Sequence, residues 1–117
     1  MTEPIRIRAR LKGDVTEVMV LMPHPMETGL RVASTGIAAP AHFITDVQVW
    51  AGQRNVLSAR LGIAVSRDPL LTFRFRGGTV GERIRVTWKD NRGEQRSDEA
   101  SSPGLSDQGL VASLFAA

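Results

Sequence analysis

Apolar and polar residues alternate along short segments of this chain, which is the pattern of β-strands with one dry and one wet face. In the first segment Ile5, Ile7, Ala9 and Leu11 alternate with Arg6, Arg8, Arg10 and Lys12. Gly, Pro, Asn or Asp residues separate this segment from further segments of the same kind. The pattern predicts seven strands, at about 5–12, 16–22, 42–50, 55–61, 71–76, 83–88 and 94–99.

Seven short strands with frequent turns, and no convincing helical period, predict an all-β fold, an immunoglobulin-like antiparallel β-sandwich. We expect one domain at 1–100, with Phe43, Phe73, Phe75 and Trp88 committed to its core. The remainder, 101–117, has the composition of a linker and ends in a short apolar segment at 110–115.

The connection from Pro23 to Pro40 is long for a hairpin, and long ordered loops often carry function. Pro23 and Pro25 stiffen the backbone around His24, which suits a recognition loop. A crossing between two sheets explains the same features, and both interpretations stay open. The part from Arg31 to Ala39 is small and polar, so we expect it to be mobile.

Composition excludes several kinds of chemistry. The chain has 117 residues, a net charge of +3 and no cysteine, which excludes disulfides, thiolate metal sites and sulfur carried covalently on this chain. It shows no apolar run near the length of a membrane span and no secretory signal at its start, which by itself predicts a cytoplasmic protein.

No catalytic, cofactor or metal site is predicted. His24, His42 and Glu27 could supply three metal ligands, but nothing in the sequence holds them on one rigid element, so we interpret the histidines as structural. No Gly-x-Ser-x-Gly elbow surrounds a serine, which argues against a hydrolase. The glycine-rich segment 77–81 lacks the ending of a phosphate-binding loop and is interpreted as a hairpin turn.

Outward positions of three predicted strands are rich in arginine. They are Arg6, Arg8, Arg10 and Lys12 on the first, Arg74 and Arg76 on the fifth, and Arg83 and Arg85 on the sixth. If these strands share one sheet, they form a basic surface that attracts acidic partners or anions. A solvated face that discourages edge pairing explains them equally well. Nucleic-acid binding is disfavoured because the basic face has no aromatic residues on it for bases to stack on, since Phe73 and Phe75 are committed to the core.

Three large apolar residues occupy outward positions: Met19 and Leu21 on the second strand and Trp50 on the third. They indicate a covered surface, either a partner interface or a patch under the loop at 62–68. If a partner covers them, the isolated chain is expected to self-associate.

Several motifs resemble one known family. They are Leu11-Lys12-Gly13, His24-Pro25-Met26-Glu27-Thr28-Gly29-Leu30-Arg31, Pro40-Ala41-His42-Phe43-Ile44, Asp68-Pro69, Phe73-Arg74-Phe75-Arg76-Gly77-Gly78, Val86-Thr87-Trp88, Asp90-Asn91 and Gly93-Glu94. This set resembles SoxZ, the Z subunit of the SoxYZ sulfur-oxidation carrier complex, over about residues 5–100 but not the tail.

The resemblance implies a non-catalytic subunit that forms a heterodimer with SoxY. It implies that the chain helps to present the sulfur intermediates on SoxY's cysteine-bearing arm to the enzymes of thiosulfate oxidation, which contact it transiently. It also implies a periplasmic location, by export together with SoxY, against the cytoplasmic prediction above. The predicted partner-binding residues are Met19, Leu21, His24, Met26, Glu27, Arg31, His42 and Trp50. A basic β-sandwich that binds nucleic acid or another polyanion is the alternative.

Overall fold

The computed structural model describes residues 2–32 and 34–101. Its regular elements are β1 (Arg6–Lys12), β2 (Val15–Leu21), β3 (Ile44–Ala51), β4 (Arg54–Arg60), β5 (Leu70–Arg76), β6 (Arg83–Asp90) and β7 (Gln95–Ser101). All seven predicted strands are confirmed, with ends shifted by a residue or two. The predicted tail, from residue 102 onward, lies outside the described residues. Within the described ranges no helix is long and apolar enough to span a membrane.

The strands form two antiparallel sheets, one of three strands in the order β1-β2-β5 and one of four in the order β4-β3-β6-β7. The predicted all-β sandwich is confirmed, and its three-plus-four arrangement is compatible with an immunoglobulin-like fold. The hairpin turns at Gly13, Gly52 and Gly93 have positive φ, the conformation that favours glycine.

One hydrophobic core lies between the sheets, because alternate side chains of each strand point to the same side. Ile7 and Ala9 of β1 and Val18 and Val20 of β2 meet residues of β3 and β6 there. Trp88 is the largest fully buried side chain, whereas Phe43, Phe73 and Phe75 are partly buried and pack against the core.

The two long sides of the sandwich differ. On one side β1 lies against β7, and the backbone N–H of Ile5 donates to Asp98 Oδ2 over 2.8 Å. Burial alone would raise the pKa of Asp98, but the hydrogen bonds from Arg96 and from Ile5 outweigh it and lower that pKa. On the other side β4 and β5 do not pack against each other as closely as β1 and β7 do. The sandwich is therefore closed along β1–β7 and open along β4–β5.

The glycine-rich segment 77–81 is not the hairpin turn that the sequence predicts. It links β5 of one sheet to β6 of the other, so it is a crossing between sheets. Gly78 has a φ of 107°, and a Cβ atom there would collide with Oγ1 of the buried Thr16. Glycine is required at this position because Thr16 Oγ1 is held nearby by its 2.9 Å hydrogen bond to the carbonyl of Gly77.

Candidate functional site

The long connection between β2 and β3 crosses from one sheet to the other and folds back on itself as it does so. Glu27 pairs with His42 through two backbone hydrogen bonds, and further out Val32 forms a bridge with Ala38. We call residues 27–42 the crossing hairpin. The predicted sheet crossing is confirmed. The segment from Arg31 to Ala39, which we expect to be mobile, belongs to the outer part of this hairpin, and its mobility stays a prediction.

His24 fixes the base of the crossing hairpin through its backbone. Its N–H donates to Asp68 Oδ1 over 2.9 Å, and its carbonyl accepts the N–H of Asp68, also over 2.9 Å. Asp68 has a positive φ of 52°, unusual for a residue with a side chain. This reciprocal pair ties the hairpin base to the loop 61–69, which connects β4 to β5.

The side chains of both histidines meet the carboxylate of Asp90 at the end of β6. His24 Nε2 lies 3.0 Å and His42 Nε2 lies 2.8 Å from Asp90 Oδ2, while the other oxygen accepts the N–H groups of Arg92 and Glu94. Burial by itself would raise the pKa of Asp90, but these hydrogen bonds outweigh it and lower that pKa. Asp90 is therefore ionised and holds four donors together. We call His24, His42, Asp90 and Glu94 the histidine clamp.

Hydrogen-bond geometry fixes where the ring protons of the clamp lie. His24 Nδ1 accepts the N–H of Met26 over 3.1 Å, so Nδ1 carries no proton and Nε2 carries the one that goes to Asp90. His42 Nε2 faces two acceptors, Asp90 Oδ2 and Glu94 Oε1 at 2.9 Å, so it too is protonated. Each ring therefore acts as a donor toward the carboxylates.

The side chains of the clamp lie close enough together to be considered as metal ligands. Among the described residues, His24, His42 and Asp90 have potential ligand atoms within 4.8 Å of one another. A metal on His24 Nε2 would displace the proton to Nδ1, which would then point at the N–H of Met26, a second donor. The donor set fits a hydrogen-bonded network better than it fits a metal. Glu27, the carboxylate considered with the histidines, lies elsewhere and forms an ion pair with Arg31 at 3.0 Å.

A cavity of about 300 Å³ opens beside the clamp. Its lining includes His24, His42 and Trp88, whose rings pack edge to face, with His24 between the other two. Arg67, Glu3, Asp68 and Glu94 also line it. Among the described lining residues carboxylates outnumber arginines, which disfavours a bound anion.

The crossing hairpin exposes large apolar side chains above this buried base. Leu30 is 77%, Val32 63% and Ile37 70% exposed. Exposed apolar side chains on one element mark an interaction surface when they lie together. Leu30 lies in the loop from His24 to Arg31, which the sequence predicts to bind the partner, whereas Val32 and Ile37 lie outside it.

The predicted partner-binding residues fall into separate places. Met19 and Leu21 lie on the outer face of the three-stranded sheet, whereas Trp50 lies on the outer face of the four-stranded sheet, under the guanidinium of Arg85 at 4.8 Å. They do not form the one covered surface that the sequence indicated. The loop at 62–68 contacts the hairpin base, where the N–H of Asp68 donates to the carbonyl of His24.

The remaining predicted residues cluster at the clamp. His24 and Met26 are buried, and the sulfur of Met26 accepts the N–H of Ile44, so both side chains anchor the hairpin internally. Glu27 and Arg31 form the surface ion pair described above, and His42 is partly buried. Direct partner contact by this set stays a prediction.

The arginines do not share one face. Those of β1 and β5 belong to the three-stranded sheet, but Arg83 and Arg85 of β6 belong to the other. Acidic groups also intervene, since Glu17 lies 3.4 Å from Lys12 and 3.6 Å from Arg74. The condition for one basic surface over all three strands is therefore not met, although the cations of β1 and β5 lie on the outer face of the same sheet. The polyanion-binding alternative stays a prediction.

The sequence reasoning missed Asp90, Asn91 and Glu94 as functional residues. They were interpreted only as parts of a turn, although they belong to the motifs quoted for the resemblance. The side chain of Asn91 joins both halves of the site, accepting the N–H of Phe43 at 2.8 Å and donating to the carbonyl of Ala41 at 3.0 Å. The separated motifs thus converge on one end of the sandwich. The signal available in the sequence was that these residues belong to the motifs of one resemblance.

The fold and this site define a small β-sandwich that presents an apolar hairpin from a rigid, hydrogen-bonded base, as protein-binding domains do. The sequence model of one family, described as Sulphur oxidation protein SoxZ, matches residues 5–101. The chain therefore belongs to the SoxZ family, which makes it a component of a Sox sulfur-oxidation system. No curated protein matches it significantly.

Proposed function

We propose that this chain is the non-catalytic subunit of a SoxYZ carrier complex. It binds a SoxY-type subunit and helps to present the sulfur intermediates on that partner's cysteine to the enzymes of thiosulfate oxidation. Family membership supports the assignment, and the absence of cysteine supports the division of labour, since the sulfur must then be carried by the partner.

The observation that carries the proposal is the crossing hairpin. Leu30, Val32 and Ile37 are mostly exposed, and burying one such side chain against a partner contributes about 1.5–3 kcal/mol. The histidine clamp holds the base of the hairpin, so little conformational freedom is lost when a partner binds. An apolar surface prepared in this way favours a lasting heterodimer.

The cellular setting belongs to the same proposal. A SoxY-type partner working on extracytoplasmic thiosulfate implies a periplasmic complex, to which this chain is carried by its partner. The Sox enzymes would then contact the complex transiently while the heterodimer persists.

The experiment measures the dissociation constant between this chain and a SoxY-type subunit from a Sox system. We expect Leu30→Ser combined with Ile37→Ser to weaken binding at least tenfold, because two apolar anchors are lost. Val80→Ser is the matched control, since Val80 is 72% exposed but lies at the opposite end of the sandwich. Circular dichroism checks that each variant folds.

Two results would contradict the proposal. If the wild-type chain forms no complex with the SoxY-type subunit, the assignment fails. If the complex forms but the double variant binds like Val80→Ser, the hairpin is not the docking element.

A further inference from the structure

The open β4–β5 side leaves part of the core uncovered. The inward side chains of β1, β2, β3 and β6 are almost all fully buried. The inward side chains of β4 and β5 share the same core but remain only partly buried: Leu57, Ala59, Leu71, Phe73 and Phe75. This strip of apolar surface runs between two strands whose outer edges have no neighbouring strand within residues 2–32 and 34–101.

Both ends of the strip are closed, which gives it a defined length. At one end Arg54 reaches from β4 to β5, where its guanidinium lies 5.5 Å from the ring centre of Phe75 and donates to the carbonyl of Arg76. At the other end Leu61 and Val65 of the loop 61–69 pack against the core. The middle, at Leu57 and Phe73, has no such cover from β4 or β5.

Arginines border the strip on both faces. Arg60 lies on the outer face of β4, and Arg74 and Arg76 lie on the outer face of β5. Their ion pairs within the chain are long, from 3.5 Å for Arg60 with Asp46 to 4.0 Å for Arg76 with Asp14. Such exposed pairs are weak, so these arginines can turn to carboxylates on another molecule. Two copies of this chain would instead bring arginines against arginines.

The loop that closes one end of the strip borders the base of the crossing hairpin. Arg67 of this loop lines one cavity together with Pro25, Thr28 and Arg31. The open side and the hairpin are therefore neighbouring surfaces, which a single partner could contact together.

We propose that the SoxY-type partner covers the β4–β5 side with an apolar ridge bordered by carboxylates. This inference rests on the proposed function, because it takes the same partner. It assigns to Arg60, Arg74 and Arg76 a role in recognition. The competing explanation is that these arginines only keep free strand edges from pairing with other chains.

The first test exchanges charge at the border. We expect Arg60→Glu, Arg74→Glu and Arg76→Glu combined to raise the dissociation constant for the SoxY-type subunit at least tenfold at low salt. The effect should shrink as salt screens the charges. The control combines Arg6→Glu, Arg10→Glu and Lys89→Glu, which change the net charge equally at exposed positions of β1 and β6. Its expected change is less than twofold.

The second test needs no variant. Hydrogen–deuterium exchange of the wild-type chain, free and in complex with the SoxY-type subunit, should show slower exchange at 54–60 and 70–76 in the complex. The proposal is overturned if those amides are unprotected, if both charge variants bind alike, or if the isolated chain buries this side in a homodimer. Absence of any complex overturns the proposed function as well, whereas a complex without this protection overturns only the present inference.

Discussion

Replacing Asp90 by Asn removes one acceptor oxygen from the centre of the histidine clamp without changing its size. If the new amide nitrogen takes the place of Oδ2, it faces the Nε2–H groups of His24 and His42. If it takes the place of Oδ1, it faces two backbone N–H groups of the β6–β7 turn. The first orientation leaves the Nε2–H of His24 without its acceptor, while His42 keeps Glu94 Oε1. The second leaves two backbone N–H groups without theirs, and each buried group that loses its partner costs about 1–3 kcal/mol.

The side chain adopts the less costly orientation, so we expect Asp90→Asn to lower the free energy of unfolding by about 1–3 kcal/mol at pH 7, a substantial part of the stability of a small domain. Urea titration followed by tryptophan fluorescence measures it, because the ring of Trp88 packs against His24. Asp14→Asn is the control, since that side chain is 81% exposed and its ion pair with Arg76 is long, at 4.0 Å. A loss below about 1 kcal/mol for Asp90→Asn would refute the assigned hydrogen-bond network.

Three further predictions follow from the same contacts. The folded state lowers the pKa of Asp90. The ionised carboxylate therefore stabilises the fold fully above the unfolded pKa of about 3.9, and this stabilisation is lost as pH falls through the folded pKa. The stability difference between wild type and Asp90→Asn should thus shrink from pH 7 to pH 3, and an unchanged difference in urea titrations would contradict it. Gly78→Ala should cost about 2 kcal/mol or more in thermal unfolding because of Thr16, and Gly81→Ala, with open space around it, should cost less. Added zinc should leave the melting temperature unchanged; a rise that EDTA reverses would show that the clamp binds metal.

Strand positions were predictable because each strand faces a dry core on one side and water on the other. The alternation around Val18, Val86 and Phe73 therefore appears directly in the sequence. A local irregularity is harder to predict. The register of β3 shifts between Ile44 and Asp46, which buries Ile44 although strict alternation from Val47 would turn it outward. Turn chemistry identified tight glycine turns but could not tell a hairpin from the sheet crossing at Gly78.

The candidate site was predictable only in its parts. Its side chains come from distant segments, such as His24 and Asp90, which are 66 residues apart, and their meeting depends on which strands share a sheet. The assignment of strands to sheets also determines that Met19 and Trp50 lie on opposite faces of the sandwich. Alternation along a single strand does not reveal this assignment. The exposed Val32 and Ile37 were missed because an apolar residue in a loop gives no periodic signal.

The two long sides of the sandwich differ in how the core is closed. On the β1–β7 side, the contact of Asp98 with Arg96 and with the N–H of Ile5 seals the core without help from another chain. On the opposite side the loop 61–69 carries Asp68, which forms two hydrogen bonds with the backbone of His24. The clamp and the end of the open strip are therefore connected through this loop. Loosening the clamp should therefore disturb both the crossing hairpin and the β4–β5 border. In a complex with the SoxY-type subunit, His42→Gln should accordingly increase hydrogen exchange at 27–42 and at 61–69 together. Increased exchange confined to the hairpin would show that the two surfaces are independent.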